Sequence, residues 1–329
     1  MKRTVFGAPL LASALAALAA LSACSPRIRI DLLGEDRLQE VVLAASPARE
    51  KVLMVDIDGT ISSALETGFL TREKSVVARV FERLERAAAD PLVKAVVLRL
   101  DTPGGEVTAS DIVYHEILRF KERTGRPVVG LMMSVAASGG FYIASACDAI
   151  VAHPSTLTGS IGVISIFPSV EALMAKIGVK VNIIKSGPSK DSGSPFRDMT
   201  EDEKKMFQAV IDEYYEGFLA VVAKGRRGKV SADDLRRIAD GRVYTAPQAL
   251  KLGLIDAVGY FDDAFAKARG LAGLTSAKLV SYTYFPKTKS SIYAGPPGGD
   301  IPLFDAKVVE SMLGSLKAGF YYLWLPRTP

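Results

Sequence analysis

From residue 52 onward, short runs rich in β-branched residues alternate with longer amphipathic stretches, and this alternation restricts the fold more than any other feature of the chain. The β-rich runs fall at 52–57, 94–100, 127–133, 148–152 and 179–184, and helical character is expected near 72–89, 109–123, 169–177 and 201–224. Strands separated by helix-length segments cannot pair as tight hairpins. They are joined by crossovers, which give parallel pairing. The expectation is an α/β fold built on a mostly parallel sheet. Thr200 followed by Glu201, Asp202 and Glu203 marks the start of the 201–224 helix, because acidic side chains complement the positive end of a helix dipole. Further C-terminal helices are expected at 231–239 and 246–252, with another beginning near Asp262.

The N-terminus stands outside this pattern. Lys2 and Arg3 precede an apolar run from about Leu10 to Leu21, and small residues lead up to Cys24. This is the layout of a secretory signal, expected to occupy residues 1–23. The run is shorter than the roughly 20 apolar residues needed to span a bilayer. Leu21-Ser22-Ala23-Cys24 resembles the bacterial lipobox, in which the cysteine is acylated and becomes the mature N-terminus. The resemblance implies lipidation at Cys24, stable membrane attachment through several acyl chains, and a folded part on the extracytoplasmic, periplasmic side of the inner or the outer membrane.

Residues 24–50 read as a lipid-proximal spacer and 51–285 as the folded domain. The Gly/Pro-rich 286–303 reads as a linker, and 304–329 as an amphipathic tail in which Val308, Val309, Met312, Leu313 and Leu316 follow helical spacing. After Cys24 the remaining cysteine is Cys147, so no intramolecular disulfide is expected; its apolar surroundings suit a buried structural thiol. The formal charge of +5 falls to +3 without Lys2 and Arg3, a balance that argues against a nucleic-acid partner. No cofactor and no metal are called for.

Two glycine-rich segments follow strands. Asp101-Thr102-Pro103-Gly104-Gly105 comes after Val96–Leu100, where a turn exposes backbone N–H groups at the end of a parallel sheet that commonly binds ligands. Ala136-Ala137-Ser138-Gly139-Gly140-Phe141-Tyr142 comes after 127–133, and puts Ser138 at a helix start with the Gly139 N–H beside it. That is the arrangement of a nucleophile with an oxyanion donor, or of a simple helix cap. A nucleophilic serine needs a base. His115 sits within an expected helix and His153 in a loop, neither with an evident carboxylate partner, which leaves a Ser-Lys pairing with Lys190 as an option.

Thr102-Pro103-Gly104-Gly105, the segment Ala136 to Ala144, Thr158-Gly159-Ser160-Ile161-Gly162-Val163 and Ser186-Gly187-Pro188-Ser189-Lys190-Asp191 together resemble the ordered motifs of the signal peptide peptidase A family. Gly241-Arg242-Val243-Tyr244-Thr245, Gly253-Leu254-Ile255-Asp256 and Gly259 extend the likeness, which runs from about Lys51 to Leu274. The resemblance implies a Clp protease/crotonase-like fold of stacked β-β-α units. It implies Ser138 as nucleophile, Lys190 as general base, Ser160 as the serine that orients the lysine, and Gly105 and Gly139 as oxyanion donors, with Gly104 shaping the turn. Thr102 stands where Ser or Asn is more usual, and Phe141 where Tyr is usual. The function implied is a serine endopeptidase acting on signal-peptide remnants or other membrane-associated or unfolded polypeptides, assembled as a homo-oligomer in which Ser and Lys can come from neighbouring subunits. A regulatory protease of one membrane protein and a non-catalytic scaffold are the alternatives. A crotonase-type acyl-CoA enzyme fits poorly with a secretory signal.

Overall fold

The computed structural model describes residues 38–64, 66–67, 72–284, 289, 291–293 and 319–325. The signal segment, Cys24, most of the 286–303 linker and residues 304–318 of the tail lie outside the described residues.

The centre of the fold is three parallel strands, β2 (Lys51–Asp58), β5 (Val93–Thr102) and β7 (Val128–Ala137). Their side chains alternate between two apolar layers. Leu53, Val55 and Ile57 of β2 join one layer, and Val52 and Met54 join the other. Because both faces are covered, these strands read as near-continuous apolar runs rather than as alternating ones. The first layer is completed by α1 (Val76–Ala89), α2 (Val107–Thr124) and α3 (Gly139–Ala144), the second by Phe261, Ala264 and Ala268 of the helix Phe261–Leu271.

Two short elements follow β2, the antiparallel strands β3 (Glu66–Thr67) and β4 (Arg72–Glu73). On one side of the central strands lie β13 (Lys278–Thr283), parallel to β2, and β1 (Gln39–Ala44), antiparallel to β13. On the other lie β8 (Ala149–Ala152) and β12 (Ala257–Val258), both parallel to their neighbours. The expected α/β class with a mostly parallel sheet is what the chain forms. β1 falls inside the stretch expected to be spacer: its Glu40 receives Lys51 at 2.8 Å, and pairing with a strand far along the chain leaves no local periodicity to read.

The expected strand at 179–184 does not form. Residues 177–185 take no strand pairing, and Val179, Val181, Ile183 and Ile184 are exposed, Ile184 completely. The β-branched pattern is there, but the segment pairs with no strand among the described residues. Before it comes α4 (Glu171–Lys176), which buries none of its residues. After it, α5 (Glu201–Gly225) begins on Thr200 as expected: Thr200 Oγ1 accepts the Glu203 N–H at 3.2 Å, and Glu203 Oε2 accepts the Thr200 N–H at 2.9 Å. The remaining helices are α6 (Ala232–Ile238), α7 (Ala246–Lys251) and α8 (Phe261–Leu271).

Asp256 joins α5 to the sheet. It accepts the Ile150 N–H at 2.8 Å and a two-pronged ion pair from Arg226, whose side chain is 1% exposed. The Gly253–Asp256 motif is therefore structural. Cys147 is buried as expected, and burial pushes its thiol up to about 12.

Candidate active site

β7 changes partners along its length. Residues 129–132 pair with β8, and residues 135–137 pair in parallel with the short β9 (Leu157–Gly159), itself paired antiparallel with β11 (Val243–Thr245). Ser138 comes directly after this handover. It is 1% exposed, with φ 52° and ψ −113°, and caps α3 without a side-chain capping hydrogen bond among the described residues. A serine in a left-handed conformation between strand and helix stores strain of the kind found at nucleophile elbows. Its N–H donates to Gly159 O at 2.8 Å and its carbonyl accepts the Tyr142 N–H at 2.9 Å, so the turn is held from both sides.

Ser160 follows Gly159 and also has a positive φ, 48°. Its N–H donates to Arg242 O at 2.8 Å, in the Gly241–Thr245 motif, so β11 fixes this serine at the end of β9. The structure thus brings Ser138 and Ser160 to adjacent strand ends, although 22 positions separate them.

Gly104 and Gly139 abut. A Cβ on Gly104, where φ is 103°, would lie 2.8 Å from Gly139 N and 2.0 Å from Tyr322 O; one on Gly139 would meet Ser110 Oγ at 2.5 Å. Backbone meets backbone here, as a site made of peptide N–H groups requires. Gly104 and Gly105 belong to β6 (Gly104–Glu106). The Thr102 hydroxyl braces the turn before it, donating to Gly59 O at 2.5 Å and accepting the Gly104 N–H at 3.1 Å. Threonine in place of serine keeps both bonds and adds a methyl that packs toward Gly140. Burial raises the Asp101 carboxyl above the usual range even though it accepts the Val135 N–H at 3.1 Å, a bond that ties β5 to the end of β7.

Sequence reading missed β14 (Gly319–Leu323). The aromatic end of the tail is a strand lying between β6 and β10 (Ile164–Ile166), antiparallel to both, with Tyr322 opposite Gly105. Tyr322 is buried on Tyr142, ring centroids 5.0 Å apart, and donates its hydroxyl to Tyr214 O at 3.0 Å. Tyr142 in turn donates to Asp111 at 2.7 Å, and burial raises its phenol. The aromatic residues Phe320, Tyr321, Tyr322 and Trp324 are β-prone, but a strand that pairs across such a sequence separation has no local partner to betray it.

Lys190 lies on the exposed 3-10 turn Pro188–Asp191. Among the described residues its Nζ makes no hydrogen bond or ion pair. Its neighbours are fully engaged: Asp191 accepts Lys185 Nζ at 2.5 Å and Arg197 Nε at 3.0 Å, and these hydrogen bonds hold its carboxyl well below the usual range. Arg197 also donates to Glu203, whose carboxyl is brought down to about 2 by that bond and by the Thr200 N–H. The helix cap of α5 thereby anchors the turn that presents Lys190. His153 pairs locally with Ser155 at 2.8 Å and meets the edge of Tyr260.

Residues 121–275, a span that includes Ser138, Ser160 and Lys190, match the family model described as peptidase family S49. A candidate protease of Synechocystis sp. is 36% identical over 231 residues, covering 70% of this chain and 78% of the relative. A candidate signal peptide peptidase SppA of Enterococcus faecium is 33% identical over 249 residues, covering 76% and 72%. Protease 4 of Salmonella typhi is 34% identical over 268 residues, and the match spans 40% of that longer protein. Among solved structures, a mutant of the 1510-N membrane-bound stomatin-specific protease aligns with TM-score 0.41 and 20% identity, over 67% of this chain and 85% of that one.

Proposed function

The chain belongs to peptidase family S49, that of signal peptide peptidase A, and is a protease; from that premise we propose that it is a serine endopeptidase working by acyl transfer through Ser138 with Lys190 as general base. The observation that carries the reading is Ser138 itself, a strained serine on a strand-to-helix elbow with Gly139 next to it and Ser160 at the adjoining strand end. In the proposed reaction Ser138 Oγ attacks the scissile carbonyl carbon while neutral Lys190 Nζ takes its proton. The N–H groups of Gly105 and Gly139 receive the oxyanion. Collapse breaks the C–N bond, the amine leaves with the proton from Lys190, and water, deprotonated by the same lysine, hydrolyses the ester.

Lys190 reaches Ser138 of a neighbouring subunit in this reading. Support comes from Lys190 Nζ, which has no partner among the described residues, from the exposed apolar residues Leu173, Ile177, Val179 and Ile184, and from the β-prone segment 179–184, which pairs with no strand among the described residues. A lysine acts as a base in its neutral form, which removal from water favours. The substrates proposed are signal-peptide remnants and other membrane-associated or unfolded polypeptides, met at the membrane through lipidated Cys24 on the periplasmic side.

The test is labelling with a serine-directed fluorophosphonate followed by peptide mapping. An adduct on Ser138 is expected. An active preparation modified elsewhere, or not at all, would overturn the assignment.

A further inference from the structure

Glu106 lies outside the catalytic set named above, yet its carboxylate closes the loop that holds the Gly104-Gly105 backbone. Both oxygens are occupied. Oε1 accepts Ser62 Oγ at 3.0 Å, and Oε2 accepts the Ser63 N–H at 3.1 Å and Ser63 Oγ at 3.0 Å. Ser62 Oγ also accepts the Ala64 N–H at 3.0 Å, which stiffens the loop locally. Directly before these serines, the Ile61 N–H donates to Gly104 O at 2.9 Å and Ile61 O accepts the Glu106 N–H at 2.8 Å. Gly105 is bracketed between those two bonds, so close that a Cβ on it would lie 2.0 Å from Ile61 O.

Glycines offer no side chain by which the fold can grip them, and their backbone is the freest of any residue. An oxyanion donor, by contrast, works within a few tenths of an ångström. Neighbouring groups must supply the rigidity. Thr102 does so at one end of β6, through Gly59 O and the Gly104 N–H, and Glu106 does so at the other, through Ser62 and Ser63. The Glu106 carbonyl also accepts Ser110 Oγ at 2.9 Å, which roots the same residue in the first turn of α2.

We propose that Glu106 is a positioning residue for the peptidase reaction: by clamping Ser62 and Ser63 it holds Ile61 against Gly105, and so aims the Gly105 N–H at the developing oxyanion. This role rests on the reading of Gly105 as an oxyanion donor. A misaimed donor weakens the transition state and leaves ground-state binding of the peptide nearly untouched. The loss is a fraction of the roughly 10²- to 10³-fold that follows complete removal of such a donor.

The test compares Glu106→Ala, Glu106→Gln and the double variant Ser62→Ala/Ser63→Ala in the full chain. For Glu106→Ala, kcat falls about tenfold while KM stays within about twofold. The inhibition constant of a peptide aldehyde, whose hemiacetal mimics the tetrahedral state, rises by the factor that kcat/KM loses, and the Kd of the matching product peptide does not change. Glu106→Gln, which keeps an acceptor for the serine hydroxyls, recovers most of the rate. The serine double variant reproduces the defect and adds nothing when combined with Glu106→Ala. A loss confined to KM, an equal weakening of aldehyde and product peptide, or additive losses in the combined variant would overturn the proposal. Failure of a fluorophosphonate to label the unaltered protein would remove Ser138 first and this role with it, whereas labelling of Ser138 together with any of those three results would remove the role of Glu106 alone.

Discussion

Ser138 and Ser160 follow Ala137 and Gly159, which face each other in the parallel register of β7 and β9, and both serines take a positive φ, 52° and 48°. The Ser138 N–H reaches Gly159 O at 2.8 Å. Two residues remote in sequence are thus set side by side by the sheet, each in a conformation that L-residues adopt at a cost of about 1–3 kcal/mol.

That strain gives the first prediction. Ser138→Ala and Ser138→Gly both reduce peptide hydrolysis to background, but the glycine variant is more stable than the alanine variant by about 1 kcal/mol, because glycine accepts a positive φ without penalty. Urea unfolding of the two variants measures the difference. Equal midpoints would mean that the elbow is unstrained.

Lys190 and Lys185 separate by what they touch. Lys185 Nζ is engaged by Asp191 and by Pro188 O at 2.9 Å, whereas Lys190 has no such partner among the described residues. Lys190→Ala and Lys190→Arg are expected to be equally inactive, since a guanidinium keeps its proton. Lys185→Ala loosens one contact of the turn and retains most of the activity. Initial rates on a fluorogenic peptide decide it; an active Lys190→Arg enzyme would exclude the lysine as base.

Thr102 and Gly140 are coupled sterically. A Cβ on Gly140 would lie 2.8 Å from Thr102 Cγ2. Gly140→Ala should cost about 1–3 kcal/mol through overpacking. Thr102→Ser removes that methyl while keeping the hydroxyl that braces Gly104, so the double variant should recover most of the loss. A double-mutant cycle by thermal unfolding reads the coupling, and additive effects would show that the two side chains do not meet.

Asp256 sets an acid limb of stability. Burial opposes its charge, but hydrogen bonds from Arg226 and Lys229 outweigh it and bring the carboxyl from an ordinary 3.8 down to about 2. A depressed carboxyl stabilises the fold above the unfolded value, and that contribution is lost as pH falls from about 4 through about 2. At about 1.4 kcal/mol per unit it amounts to about 2–3 kcal/mol. Asp256→Asn should flatten this limb and, at neutral pH, cost about 3 kcal/mol or more by stranding buried Arg226. Urea midpoints between pH 2 and 7 test both; a variant with the unaltered acid slope would show that other carboxylates govern it.

What the sequence determined by itself was periodic or local. Short β-branched, apolar runs located β2, β5, β7 and β8 to within a few residues, and Thr200 with its acidic followers located the start of α5. Strand followed by small residues was enough to put Ser138 at an elbow, since serine, glycine pair and helix start are contiguous. Tertiary structure decided which strands found partners. The β-prone 179–184 was left unpaired among the described residues, the unpatterned 39–44 gained a partner in β13, and the aromatic 319–323 was seated against Gly104–Glu106. The same holds for the clamp of Glu106 on Ser62 and Ser63, which no spacing announces. A strand's hydrogen bonds are made to another part of the chain, so local sequence encodes the readiness to pair but not the edge that accepts it.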